Sequence, residues 1–125
     1  MGKRTPIGRM YLDGRVIVHT IDAHAALASD GAREIQRITV DLAAGSPVAV
    51  VVDMRRMAFA GRDVRGMFTD DLGGVEVATA LLVSPGVSLA LAGLFKKYAA
   101  PERPVEVFED AVEALSWARG HVEAI

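Results

Sequence analysis

Val48-Ala49-Val50-Val51-Val52-Asp53 is the stretch that most limits what this chain can fold into. Its first five residues are small and apolar, four of them valine, with no polar residue to face water. A strand of that kind is buried on both faces, as in the middle of a parallel sheet covered by helices. Gly45-Ser46-Pro47 stops the helix before it, and the strand ends on a carboxylate. Ligands of open α/β sheets gather outside the carboxyl ends of the strands, so Asp53, Arg55 and Arg56 stand where a site is expected.

The rest of the chain builds outward from that strand. Asp13-Gly14 between two apolar runs, at 9–12 and 15–20, predicts a β-hairpin with a type I′ turn. Val16, Val18 and Thr20 face one side of it; Ile17, His19 and Ile21 face the other. Residues 22–28 are alanine-rich without periodicity, and either a loop or a ragged strand end fits them. Ser29-Asp30 predicts the start of a first helix, with Ile35, Ile38 and Leu42 on its apolar stripe. Asp63 caps a second helix carrying Val64, Met67, Phe68 and Leu72, which Gly73-Gly74 ends. Residues 77–83 form another buried strand, and Ser84-Pro85 reads as the N-cap and first residue of a third helix. Leu91, Leu94, Phe95 and Tyr98 make the core face of that helix. A short strand at 105–108 and a last helix capped by Asp110 follow, with Ala111, Ala114, Leu115, Ala118 and Val122 inward.

Strands alternating with helices imply a mostly parallel sheet with right-handed crossovers. The expected architecture is a single-domain α/β sandwich: an N-terminal β-hairpin, then three βα units, with a core over about residues 7–122. Composition excludes several functions. In 125 residues there is no cysteine, so disulfides, thiolate metal sites and cysteine nucleophiles are absent. A formal net charge of −2 argues against a general binder of nucleic acid or anionic membranes. No apolar run reaches the length of a membrane span, and Met1-Gly2-Lys3-Arg4 leads into no signal-peptide core. The cytoplasm is the expected compartment.

Val51-Val52-Asp53-Met54-Arg55, the run from Ala80 to Pro85, and Phe108-x-x-x-x-x-Ala114-Leu115-x-Trp117 together resemble the STAS-like domains. These are relatives of the bacterial anti-sigma-factor antagonists (SpoIIAA-like), and the resemblance spans residues 15–122. It implies an antagonist-like α/β fold that binds proteins, with relatives that bind nucleotides, anions or lipids, and no enzymatic activity. In that family a phosphorylatable serine opens the helix after the Asp-ended strand. The matching run from Phe59 to Val64 has no serine, threonine or tyrosine, and Arg62-Asp63 stands at the serine position. Phosphorylation at that place does not carry over.

Two surfaces are candidates for function. The first is an anion or polar-ligand pocket built from Asp53, Arg55, Arg56, Arg62 and Ser84, with amides of Gly86 and Ser88 at the third helix start. The alternative is a solvated loop whose arginines pair with Asp70, Asp71 and Glu76. The second is an interface on the third helix, where Leu89, Ala92 and Gly93 exceed the one apolar stripe a sheet requires, with Lys96 beside them. Its alternative is packing against the second helix of the same molecule. Trp117 reads as a core or hairpin contact and His121 as a surface residue. His19, Asp22 and His24 lack metal-ligand spacing, and no serine lies in Gly-x-Ser-x-Gly. No P-loop or dinucleotide fingerprint is present either. The resulting expectation is a non-enzymatic binding or regulatory module without cofactor, forming a homodimer. A carrier or sensor of a small anionic or amphipathic ligand is the alternative.

Overall fold

The computed structural model describes residues 2–22, 29–56, 75–98 and 103–124. Its strands are β1 (Gly2–Thr5), β2 (Gly8–Asp13), β3 (Val16–Ile21), β4 (Val48–Asp53), β5 (Glu76–Leu82) and β6 (Val105–Phe108). Its helices are α1 (Ser29–Ala43), α2 (Val87–Tyr98) and α3 (Ala111–Glu123). The expected helix over 63–72 and the ambiguous residues 23–28 lie outside the described residues.

All six strands form one open sheet in the order β1-β2-β3-β4-β5-β6. The first two pairings are antiparallel and the remaining three parallel. The helices α1, between β3 and β4, and α2, between β5 and β6, lie on one face, as right-handed crossovers that step the same way across a sheet require. On that face Ile35 and Ile38 of α1 and Ala92 of α2 pack with Val50, Val52, Leu81 and Val83. The terminal helix α3 is not a crossover, and it covers the other face. There Ala114, Ala118 and Val122 meet Val18, Ala49, Val51, Ala78 and Ala80. Alanine against alanine lets the helix axis approach the sheet closely. The five apolar residues of β4 are therefore buried from both sides.

The N-terminal ribbon differs from expectation in two ways. Asp13 pairs with Val16, so the two-residue loop is Gly14-Arg15. Only Gly14 has positive φ (63°), the pattern of a type II′ turn rather than type I′. The ribbon also gains β1, which nothing in Gly2-Lys3-Arg4-Thr5 announces. Three of its four residues are exposed, so it is a strand because it pairs with β2 and not because it buries apolar residues. Pro6-Ile7 turns the chain between them, and Gly8 then sits against β3. A Cβ there would stand 1.9 Å from the Thr20 carbonyl oxygen.

Side-chain chemistry sets the start of α3. Asp110 caps α3 as expected, its Oδ1 accepting from the amides of Val112 (2.7 Å) and Glu113 (3.3 Å). The end of α1 passes through two left-handed residues, Ala44 (φ 52°) and Gly45 (φ 82°). Ser84 is not the N-cap of the helix after β5. Gly86 is: it has φ 109°, and its carbonyl accepts the first helical bond, from Ala90 at 3.1 Å. The Pro85-Gly86 turn delays the helix by two residues and releases the Ser84 hydroxyl for another contact.

Trp117 is half-buried, as a core contact should be, with its ring centroid 5.6 Å from that of Phe108. His121 is half-buried beside it, at 4.3 Å between centroids. Arg119 joins α3 to the hairpin turn through Asp13 at 3.2 Å.

Candidate functional site

The carboxyl ends of β4 and β5 carry a connected polar cluster. Asp53 ends β4, and its Oδ1 accepts from the backbone amide (3.2 Å) and Nε (3.0 Å) of Arg55. Its Oδ2 accepts from Arg55 Nη2 at 2.9 Å. This fork-to-carboxylate pairing fixes the plane of the guanidinium. Bonding to Asp53 and its charge raise the Arg55 pKa further. The Arg55 side chain nevertheless stays 45% exposed, while that of Asp53 is 15% exposed. Between them Met54 is fully buried, its amide bonded to the Leu82 carbonyl at 2.9 Å. That bond and the buried methionine hold the turn after β4 against the end of β5.

Ser84 completes the connection. Its hydroxyl donates to the Arg55 carbonyl at 3.2 Å. Its amide donates to Ser88 Oγ (2.9 Å), which in turn donates back to the Ser84 carbonyl (3.0 Å). Asp53, Arg55, Ser84 and Ser88, with the Gly86 turn between the serines, thus lie in one connected cluster, which Ser88 enters through its hydroxyl and not through the expected amide. Arg56 is exposed next to them. Arg62 lies outside the described residues. Chemically the cluster is a self-neutralised, oriented guanidinium on a rigid base.

The expected interface residues separate. Leu89 is 42% exposed and Gly93 is exposed. Ala92 is not on that surface: it is fully buried in the core, one turn after buried Ser88. Its small side chain is what lets α2 lie close to the sheet, so its apolarity serves packing. Lys96 is exposed and pairs with Glu106 of β6 at 3.4 Å. The core-face residues Leu91, Leu94, Phe95 and Tyr98 have side chains outside the described set.

Two buried polar pairs escape the sequence reading. His19 is buried on the face with Ile17 and Ile21, and its Nε2 lies 2.9 Å from the hydroxyl of buried Thr5. Burial lowers its pKa to about 4, against the opposing pull of the Asp22 carboxylate. Asp22 is in turn ion-paired with Arg4. The second pair is Glu76 with Arg103, 3.9 Å apart and each 7% exposed in its side chain. Thr79 donates to Glu76 at 2.5 Å. Burial raises the Glu76 pKa, opposed by Arg103 and by the Thr79 bond. Glu76 therefore serves Arg103 at the start of β5, and among the described arginines after β4 neither Arg55 nor Arg56 pairs with it. The one signal in the sequence is a glutamate at the mouth of an otherwise apolar strand. Among the described residues no group of three histidine, aspartate or glutamate side chains is placed to hold a metal.

An open mixed sheet with a polar cluster bridging the ends of two central parallel strands defines a small α/β domain whose site is made of oriented side chains. The chain belongs to the family DUF7793, a domain of unknown function, whose model matches residues 10–122. Neither curated proteins nor solved structures yield a match. Among the described residues no helix is long and apolar enough to cross a membrane.

Proposed function

We propose that this chain is a non-enzymatic, STAS-like binding and regulatory module of the bacterial cytoplasm, and that it forms a homodimer through the start of α2. The observation that carries this reading is the setting of Leu89. An exposed leucine follows Ser88 directly, and Ser88 is tied through Ser84 to the backbone of Arg55. An apolar contact and an oriented guanidinium thus share one end of the sheet. Arginine is enriched among the residues that dominate protein interfaces, and an arginine already held in place loses little entropy on docking. The strand–Asp53 and strand–Ser84-Pro85 pattern supports the STAS-like assignment.

Sedimentation of the wild type and of Leu89→Asp tests the dimer. Twice the chain mass in the wild type and a monomer in the variant are expected; an unchanged mass rejects the contact. The exposure of Arg55 favours one further reading, an anionic ligand at the strand ends. In that case phosphate raises the thermal midpoint of the wild type and not of Arg55→Ala/Arg56→Ala. No shift in the wild type removes the ligand reading.

A further inference from the structure

Among the described residues β1 and β6 are the two edges of the sheet, with basic residues at one and an acidic surplus near the other, and we infer that the β1 edge of one copy of this chain pairs with the β6 edge of another. Among the described residues β1 and β6 each have a neighbouring strand on one side only. Each is four residues long. Lys3 and Arg4 are exposed on β1, and Arg9 stands directly opposite Arg4 on β2. Like charges facing each other across a ladder oppose pairing unless a counter-charge is near. Asp22 answers Arg4 and leaves Lys3 and Arg9 in surplus. Toward the other edge the exposed acids are Glu106 on β6, Glu109 just past its end, and Asp110 and Glu113 at the start of α3, against exposed Lys96 and Lys97 near the end of α2. Lys96 answers Glu106, leaving an acidic surplus there.

Charge on an edge strand ordinarily keeps copies apart. Here it does so for β1 against β1 and for β6 against β6, which disfavours the symmetric two-fold pairings. Between β1 and β6 the sign reverses and the copies attract. Strand direction agrees. β1 is antiparallel to β2 and β2 to β3, while β3 through β6 are parallel, so β1 and β6 run the same way. A translated copy would continue the sheet as β5-β6-β1-β2 with a parallel join. Such a contact uses two different surfaces, so it propagates into a file of copies unless its rotation closes a ring. Four residues per edge make it weak, and screening by salt makes it weaker.

The test is sedimentation of the untagged chain on the Leu89→Asp background, so that association through α2 does not contribute. In about 0.01 M salt the average mass should rise about twofold or more with concentration, and fall back in about 1 M salt, as the screening length drops from about 30 Å to about 3 Å. Lys3→Glu/Arg4→Glu and Glu106→Lys/Glu109→Lys should each be monomeric alone and should associate when mixed, since each then offers the edge the other lacks. Arg4→Gln and Glu106→Gln, milder changes, should each weaken association in part. A monomer at every concentration and salt overturns the inference. So does association that survives both charge reversals, or folded reversed variants that stay apart when mixed.

Discussion

The hydroxyl of Thr5 lies 2.9 Å from Nε2 of His19, with both side chains buried, so the outermost strand is fastened to the third by a polar contact inside an apolar face. Ile7, Met10, Ile17 and Ile21 belong to the same buried cluster, on the face His19 shares with Ile17 and Ile21. A neutral imidazole can share one hydrogen bond with a hydroxyl there; an imidazolium is poorly solvated.

That environment makes stability depend on pH. The folded pKa of His19, about 4, is below the ordinary 6.5, so the unfolded chain takes up the proton first. The neutral histidine's contribution is intact above about pH 6.5 and is lost as pH falls toward 4, by about 3 kcal/mol in total. Carboxylates titrate in part of the same range, so the difference between wild type and His19→Gln isolates the effect. Urea midpoints from pH 7 to pH 4 should show the two proteins converging or crossing as the pH drops. A constant difference would mean that His19 does not carry it.

Gly8 is the second place where the ribbon tolerates no change. An alanine Cβ 1.9 Å from the Thr20 carbonyl oxygen overlaps backbone, and backbone of a paired strand cannot step aside without breaking the pairing. Gly8→Ala should cost ~3 kcal/mol or more in urea unfolding. Amide exchange should show the loss first in β1 and β2. Gly120→Ala, on an open stretch of α3, is the control and should be neutral or slightly stabilising.

Ala44 predicts a gain. It holds φ 52° on an exposed residue at the end of α1, a conformation that costs L-residues other than glycine ~1 kcal/mol. Glycine relieves that strain at some expense in unfolded-state entropy. Ala44→Gly should therefore raise stability by about 0.5 kcal/mol, read as a higher urea midpoint with unchanged slope.

Much of the architecture was legible because it is local. Valine repetition marks β4, Asp110 marks the start of α3, and the spacing of Ile35, Ile38 and Leu42 marks the buried side of α1. The candidate cluster was partly legible for the same reason: Asp53 and Arg55 are two residues apart, and Ser84 and Ser88 four. The buried place of Ala92 was not legible, because an alanine has the same apolarity whether it faces solvent or a sheet.

The sequence by itself determined most of the described strands and helices, since hydrophobic period and capping chemistry act over a few residues. Only the tertiary structure decided the rest. It made a strand of Gly2–Thr5 by supplying β2, and it brought Thr5 to His19 and Glu76 to Arg103 across 14 and 27 residues of chain. It also set basic residues at one edge of the sheet and an acidic surplus near the other. Those relations depend on how strands are ordered and which way helices cross, and no local pattern encodes them.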